Sequence, residues 1–314
     1  MRLEEATFVT GEVSINYAEG PPNGPPFVLL HGGAGRWQYG QAFLDLIAED
    51  WHVYAPDFRG HGKSGPRPNA YRLIDYVRDT AAFLSTVVGQ PAVVFGHSLG
   101  GEVAVKTASL HLASFRALVV GDAPLSARNL ATEEPTHRAQ NRLWQSLADR
   151  GVDEIVPALK DMLVRVPRQS QPQPARNVFG EDHPWFDHQA LSLHQLEPEM
   201  LAAVLEGPAQ MLRDYEPEVL LPPITCPVLL LQADARSEPV RRLLKLDAST
   251  APTAAATDGY YRAHLGLARN AGPARHQLRQ LFPTKHPPTR PATIRQITAT
   301  SAAGAHGRSA RRGT

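Results

Sequence analysis

The sequence has little cysteine and no long apolar run, and each shortage excludes a class of protein. Its 314 residues include a single cysteine, Cys226, so an intrachain disulfide and a cysteine-based metal cluster are both excluded. This cysteine precedes an apolar run, which predicts a small buried side chain. No apolar run approaches the ~20 residues that span a bilayer, and the polar start has no signal-peptide pattern. We therefore expect a cytoplasmic protein with no membrane partner.

Acidic residues are missing from the last part of the chain. No Asp or Glu follows Asp258, whereas residues 259–314 carry 10 of the 32 Lys and Arg. Residues 1–258 contain the other 22 basic residues and all 31 acidic ones. The overall net charge of +1 is therefore the sum of a negatively charged region at 1–258 and a positively charged one at 259–314. A basic tail can bind nucleic acid, but this one has no interleaved aromatic residues and no known module. We expect no nucleic-acid partner.

Five short apolar runs alternate with helical patterns and turn residues. They are FVLL at 27–30, HVYA at 52–55, AVVF at 92–95, ALVV at 117–120 and VLLL at 228–231. This alternation predicts an α/β fold, in which a mostly parallel central sheet is flanked by helices on both faces. Residues 7–20 alternate apolar and polar side chains around Gly11, which predicts a hairpin at the edge of the sheet.

The alternation stops between residues 124 and 223. This stretch has helical patterns but no clear strand, which predicts a helical lid inserted between two strands. Its aromatic residues, such as Trp144 and Trp185, favour a small, partly apolar substrate. The predicted organisation is residues 1–123 as the first part of the core, 124–223 as the lid, 224–258 as the rest of the core, and 259–314 as an irregular basic tail.

Residues 96–100 read Gly-His-Ser-Leu-Gly and lie between an apolar strand and a predicted helix. A serine nucleophile must project from a tight strand-to-helix turn, which strains its backbone and leaves room for only small residues two positions away on either side. The free N–H groups at the start of the helix then face the reacting centre. This pattern predicts Ser98 as a nucleophile.

A second glycine-rich loop, His-Gly-Gly-Ala-Gly at residues 31–35, follows the first apolar run. Small residues allow backbone N–H groups to approach a substrate oxygen closely. The N–H groups of Gly33 and Leu99 are therefore the predicted oxyanion hole.

Three motifs follow three successive strands: HGG at 31–33, DFRGHGKS at 57–64 and GHSLGG at 96–101. In this order they resemble the α/β-hydrolase fold family, in particular its lid-bearing esterase and C–C hydrolase branch. The resemblance covers roughly residues 8–234. It implies a triad in the order Ser, acid, His, and an RGHG loop that is mainly structural, so Asp57, Arg59 and His61 are expected to fix that loop. His97, beside the nucleophile, is expected to pack rather than to act as the base.

Two aspartates are candidates for the triad acid, and the choice stays open. Asp234 follows the apolar run at 228–231, which matches the usual place of the acid in the family. Relatives commonly place the acid two residues further on, where this chain has Arg236. Asp122 follows the preceding strand, which is a second known location for the acid.

The triad base is the weakest part of the pattern. The resemblance implies a Gly-His turn after the acid, but no Gly-His pair follows Asp234. His264, 30 residues beyond Asp234 and after the short stretch YYRA, is the candidate base. The other histidines in this part of the chain are His276, His286 and His306.

Two hypotheses follow for the function. The first is a serine hydrolase that cleaves an ester or similar bond through an acyl-enzyme on Ser98. The second is an impaired or non-catalytic relative, in which a reading-frame shift near 235–258 has replaced the last strand, the triad histidine and the final helix. The histidines lack metal-ligand spacing and HEXXH is absent, so we expect neither a metal nor a cofactor.

Overall fold

The computed structural model describes residues 3–123, 141–148, 150–164, 171–206, 215–232 and 294–298. Its main feature is an eight-stranded sheet. The strands of this sheet are β1 (Glu4–Val9), β2 (Ser14–Glu19), β3 (Pro26–Leu30), β4 (His52–Pro56), β5 (Ala92–His97), β6 (Phe115–Gly121), β9 (Val228–Gln232) and β10 (Ile294–Thr298). A separate pair of two-residue strands, β7 (Leu163–Val164) and β8 (Gln173–Pro174), pairs antiparallel.

The helices fall between these strands. They are α1 (Gln41–Ile47), α2 (Leu73–Phe83), α3 (Leu99–Leu110), α4 (141–148), α5 (Val152–Asp161), α6 (Ala175–Phe179), α7 (Trp185–His194), α8 (Pro198–Glu206) and α9 (Pro217–Leu220). Short 3-10 turns cover Trp37–Gly40 and Leu112–Ser114, and a π-type turn at Leu84–Val88 extends α2. That turn ends at Gly89, whose positive φ of 67° suits a glycine at a helix end.

The strands lie in the order β1-β2-β4-β3-β5-β6-β9-β10. The β1–β2 hairpin is antiparallel and forms one edge of the sheet, and β2 is antiparallel to β4. From β4 onward all neighbouring strands are parallel. Both the predicted mostly parallel sheet and the predicted edge hairpin are therefore confirmed, and β5, which leads to Ser98, lies near the middle.

The central strands are apolar along their whole length because helices cover both faces of the sheet. On β3, Val28 and Leu30 belong to one buried cluster, which also contains residues of α2, α3 and α7. Phe27 and Leu29 belong to the other cluster, together with residues of α1. Successive side chains on a strand point to opposite faces, so each face contributes its own half of the core.

Helices α4 to α9 and the short β7–β8 pair all lie between β6 and β9 in the chain; residues 124–223 are called the insertion below. Buried residues of α5 and α7, such as Ile155 and Phe186, belong to the same cluster as α2 and α3. The helical character was predicted; the small β7–β8 pairing was not, because two-residue strands leave no periodic pattern. No helix among the described residues has the length and apolar character needed to cross a bilayer.

Two expectations need correction. Cys226 is half-buried rather than buried, although burial still raises the pKa of its thiol to about 11. Residues 294–298 were expected to be irregular but form β10, which pairs with β9 in parallel register from Ile294 opposite Val228. The rest of the 259–314 segment lies outside the described residues.

Candidate active site

The turn between β5 and α3 places Ser98 in a strained conformation. Its backbone has φ 50° and ψ −120°, a region that residues with a side chain rarely adopt. The surrounding hydrogen bonds hold this conformation: the Ser98 N–H donates to the Gly121 carbonyl over 2.9 Å, and the Ser98 carbonyl accepts from the Gly101 N–H over 2.8 Å. The backbone at Ser98 therefore has the geometry that the sequence pattern predicts for a nucleophile.

The glycines two positions away on either side are required by close backbone contacts. A Cβ atom on Gly96 would lie 2.1 Å from the carbonyl oxygen of Gly100. A Cβ atom on Gly100 would lie 2.2 Å from the carbonyl oxygen of Leu30. The turn can therefore be this tight only because both positions lack a side chain.

The glycine-rich loop after β3 packs directly against this turn. A Cβ atom built on Gly32 would lie 3.3 Å from the Cβ of Ser98. A Cβ atom built on Gly33 would lie 3.9 Å and 4.0 Å from two side-chain atoms of Leu99. Gly33 and Leu99, the two predicted oxyanion donors, are thus neighbours beside Ser98.

The orientation of the Gly33 N–H is set by the carbonyl of the same peptide group. The Gly32 carbonyl accepts hydrogen bonds from His31 Nδ1 over 2.7 Å and from the Gly35 N–H over 3.1 Å. A trans peptide is planar, so the Gly33 N–H points away from these two donors. Among the described residues no group accepts a hydrogen bond from it. The Leu99 N–H lies in the first turn of α3, where no helical carbonyl is in reach.

Two buried histidines hold the loops around the site. His31 Nε2 accepts a hydrogen bond from the Phe58 N–H over 3.0 Å, which leaves the ring proton on Nδ1. His61 Nε2 accepts from the Ala34 N–H over 3.3 Å, and its Nδ1 donates to the Arg59 carbonyl over 2.9 Å. Burial lowers the pKa of His31 to about 4 and that of His61 to about 3. Both rings are therefore neutral, with both nitrogens engaged, and neither is available as a base.

The loop after β4 is fixed in the same way. Asp57 accepts hydrogen bonds from Asn16 Nδ2 over 2.9 Å and from the Trp37 N–H over 2.7 Å. Arg59 makes two hydrogen bonds to Asp79, over 2.6 Å and 2.7 Å. These contacts support the expected structural roles of Asp57, Arg59 and His61.

Asp122 is the triad acid candidate that the structure describes. It follows β6 directly, has a positive φ of 48° and is exposed. Its N–H donates to the Leu231 carbonyl over 2.7 Å. In the register of the sheet His97 lies opposite Gly121, so Ser98 and Asp122 emerge from neighbouring strands at the same edge.

Asp234 and His264 lie outside the described residues, as do His276, His286 and His306. Desolvation in the packed turn, together with the neighbouring His31, lowers the pKa of His97 to about 4. Among the described residues no histidine forms a hydrogen bond with the hydroxyl of Ser98.

Among the described residues, sequence reasoning missed one that touches the glycine-rich loop after β3. Gln189, on α7 of the insertion, donates from Nε2 to the Ala34 carbonyl over 3.3 Å and is 4% exposed. The signal that could have found it is a buried amide on an otherwise amphipathic helix, because such a group needs a partner. Nothing in the sequence indicates that this partner lies 155 residues away.

Comparisons with known proteins agree with this geometry. Residues 25–234 match the family model described as alpha/beta hydrolase fold. A serine hydrolase-like protein of Danio rerio is 32% identical over 105 residues, which are 33% of this chain and 32% of that protein. A 2-(acetamidomethylene)succinate hydrolase of Mesorhizobium japonicum is 28% identical over 112 residues, which are 36% of this chain and 40% of that protein. The chain thus spans less than half the length of these curated relatives.

A solved structure has a similar fold. The thioesterase domain from the curacin biosynthetic pathway superimposes with a TM-score of 0.56 at 18% identity. The superposition covers 78% of this chain and 89% of that domain.

Proposed function

Because the chain belongs to the α/β-hydrolase fold family, we propose that it is a serine hydrolase that cleaves an ester or similar bond of a small, partly apolar substrate. The observation that carries this proposal is the backbone of Ser98, with φ 50° and ψ −120° at the turn from β5 to α3. A serine with only a structural role needs no such strain, whereas a nucleophile on this turn does. The resemblance to a serine hydrolase-like protein gives further support.

The reaction proceeds in two steps. In the first, Ser98 Oγ forms a bond to the substrate carbonyl carbon while the base takes the hydroxyl proton. The N–H groups of Gly33 and Leu99 stabilise the resulting oxyanion, each by roughly 2.7–4 kcal/mol. The leaving group takes the proton from the base and departs, which leaves the acyl-enzyme. In the second, water attacks the acyl group, the acid product is released and Ser98 is regenerated.

For the rest of the triad we propose an aspartate acid and His264 as the base. The position of Asp122, directly after β6, the strand that pairs with β5, supports it as the acid. Asp234, two residues beyond the end of β9 in the sequence, stays the alternative. Residues 124–223 would act as a lid over the substrate.

The second candidate function is an impaired or non-catalytic member of the family. It is favoured by the sequence, in which no Gly-His pair follows Asp234. In this alternative a reading-frame change near residues 235–258 has removed the base. A serine without its base retains only the residual catalysis of the oxyanion hole and of substrate binding.

A serine-reactive fluorophosphonate distinguishes the two functions. The hydrolase should be labelled at Ser98, as located by mass spectrometry of the digested protein, and Ser98→Ala should remove the label. Asp122→Asn, Asp234→Asn and His264→Ala then identify the acid and the base by their labelling rates. A folded protein that is not labelled would support the non-catalytic alternative. In that case a GxGH-like segment in another reading frame beyond codon 235 would identify the cause.

A further inference from the structure

Ala34 follows the predicted oxyanion donor Gly33, and its N–H and its carbonyl are both hydrogen-bonded to side chains. Ala34 has a positive φ of 53° and is 1% exposed. Its N–H donates to His61 Nε2 over 3.3 Å, and its carbonyl accepts from Gln189 Nε2 over 3.3 Å. A left-handed backbone at alanine costs on the order of 1 kcal/mol or more, so these contacts must hold the turn in place.

The orientation of the Gln189 amide follows from its partners. A carbonyl can only accept, so the group that faces Ala34 must be the NH₂. The amide oxygen then faces Tyr39 and accepts a hydrogen bond from the Tyr39 hydroxyl. Burial raises the pKa of Tyr39 above its ordinary range, so this hydroxyl keeps its proton and remains a donor. Gln189 therefore links two points of the segment that follows β3.

One of these points, Ala34, lies within the glycine-rich loop, and the other, Tyr39, lies four residues beyond its end. The ring of Tyr39 is close to the turn, since a Cβ atom on Gly35 would lie 3.3 Å from Tyr39 Cδ2. Gly35 in turn donates to the Gly32 carbonyl, which sets the direction of the Gly33 N–H. A path of direct contacts thus runs from α7 of the insertion to the oxyanion donor.

We propose that Gln189 is a positioning residue that keeps the oxyanion turn in its catalytic conformation, so that the turn is correctly formed only while α7 is docked. This inference rests on the proposed hydrolase function. Its physical basis is that the buried Gln189 amide is held rigidly while its oxygen and its NH₂ group are both hydrogen-bonded. If the Ala34 carbonyl loses this donor, it must find another donor or move. The insertion would thereby contribute to transition-state stabilisation as well as to covering the substrate.

The decisive variant is Gln189→Glu. A carboxylate has nearly the shape of the amide and still accepts from the Tyr39 hydroxyl, but it cannot donate to the Ala34 carbonyl. Tyr39→Phe removes the other hydrogen bond of Gln189, the one that its amide oxygen accepts from the Tyr39 hydroxyl. The matched control is Glu199→Gln on α8, where the Glu199 carboxylate accepts from the Asn69 N–H over 2.6 Å. That contact also joins the insertion to the core but does not touch the oxyanion turn.

Activity and backbone protection are measured together. With p-nitrophenyl esters, we expect Gln189→Glu to lower kcat and the rate of fluorophosphonate labelling by roughly 10- to 100-fold, since a misplacement of about 1 Å can cost 10²-fold. KM should change by less than about 3-fold, because ground-state binding does not use the oxyanion hole. Tyr39→Phe should act in the same direction, whereas Glu199→Gln should stay near wild type. A variant whose KM and unfolding midpoint change while kcat is preserved would overturn the proposal.

Hydrogen exchange separates this inference from the proposed function. The amides of Ala34 and Gly35 are hydrogen-bonded in the intact turn, so Gln189→Glu should accelerate exchange in the peptide covering 27–40 while Glu199→Gln should not. If the wild type is inactive but this exchange increases, the hydrolase function fails and the positioning role stands. If the wild type is active but exchange and kcat are unchanged in Gln189→Glu, the positioning role fails alone.

Discussion

Substitution of Gly100 by alanine tests the packing on which the turn at Ser98 depends. Gly100 is the second residue of α3, and its φ is not positive, so alanine meets no backbone strain there. Inside a helix alanine is favoured over glycine by roughly 1 kcal/mol. Without the contact to β3, Gly100→Ala would therefore stabilise the protein.

The close contact between Gly100 and the end of β3 makes this substitution destabilising instead. The added Cβ would lie 2.2 Å from the Leu30 carbonyl oxygen and 2.6 Å from that of His31, whereas close C···O contacts are normally about 3.3 Å or more. Both neighbours are backbone atoms, so α3 must move by roughly 1 Å relative to β3. Overpacking of this kind costs up to about 3 kcal/mol. After subtraction of the helix gain, the free energy of unfolding should fall by about 2 kcal/mol.

The assay combines urea unfolding with fluorophosphonate labelling. The same displacement moves the Leu99 N–H and Ser98 away from the glycine-rich loop after β3, so labelling should slow by about 10²-fold. Gly65→Ala is the matched control, because its added Cβ would have the Ser14 backbone nitrogen as its nearest neighbour, at an ordinary 3.5 Å. It should unfold close to wild type. A Gly100→Ala protein as stable as wild type would refute the described contact between α3 and the end of β3.

Two further predictions concern buried ionisable groups. The pKa values of His31 and His61 are lowered by burial to about 4 and about 3, so both stay neutral in the folded protein while the unfolded chain takes up protons below about pH 6.5. Stability should therefore decrease as pH falls from about 6.5 toward 4, by up to about 1.4 kcal/mol per pH unit for each histidine; equal urea midpoints at pH 7 and pH 5 would contradict this. Arg59→Met should cost about 3–5 kcal/mol in urea unfolding at pH 7, because it leaves the Asp79 carboxylate buried without its two hydrogen bonds. The double variant with Asp79→Leu should recover much of that loss, and a double variant as unstable as the single one would show that the charge is not the cause.

Patterns that depend on neighbouring residues were predictable from the sequence alone. The strands β3, β4, β5, β6 and β9 match the five apolar runs, because a strand covered on both faces must be apolar throughout. The tight turn at Ser98 was predictable for a similar reason. The demand for glycine at 96 comes from the Gly100 carbonyl, within five residues of chain, so the sequence records it directly; the demand at 100 comes from the Leu30 carbonyl at the end of β3.

Contacts between distant residues were decided by the tertiary structure. The neutral state of His31 depends on the Phe58 N–H and on burial, and the support of Ala34 depends on a glutamine 155 residues away. β10 was missed because IRQIT shows no strand pattern of its own and becomes a strand by pairing with β9. A sequence records what each backbone segment requires locally, whereas the partner of a buried polar group is fixed only when the chain has packed.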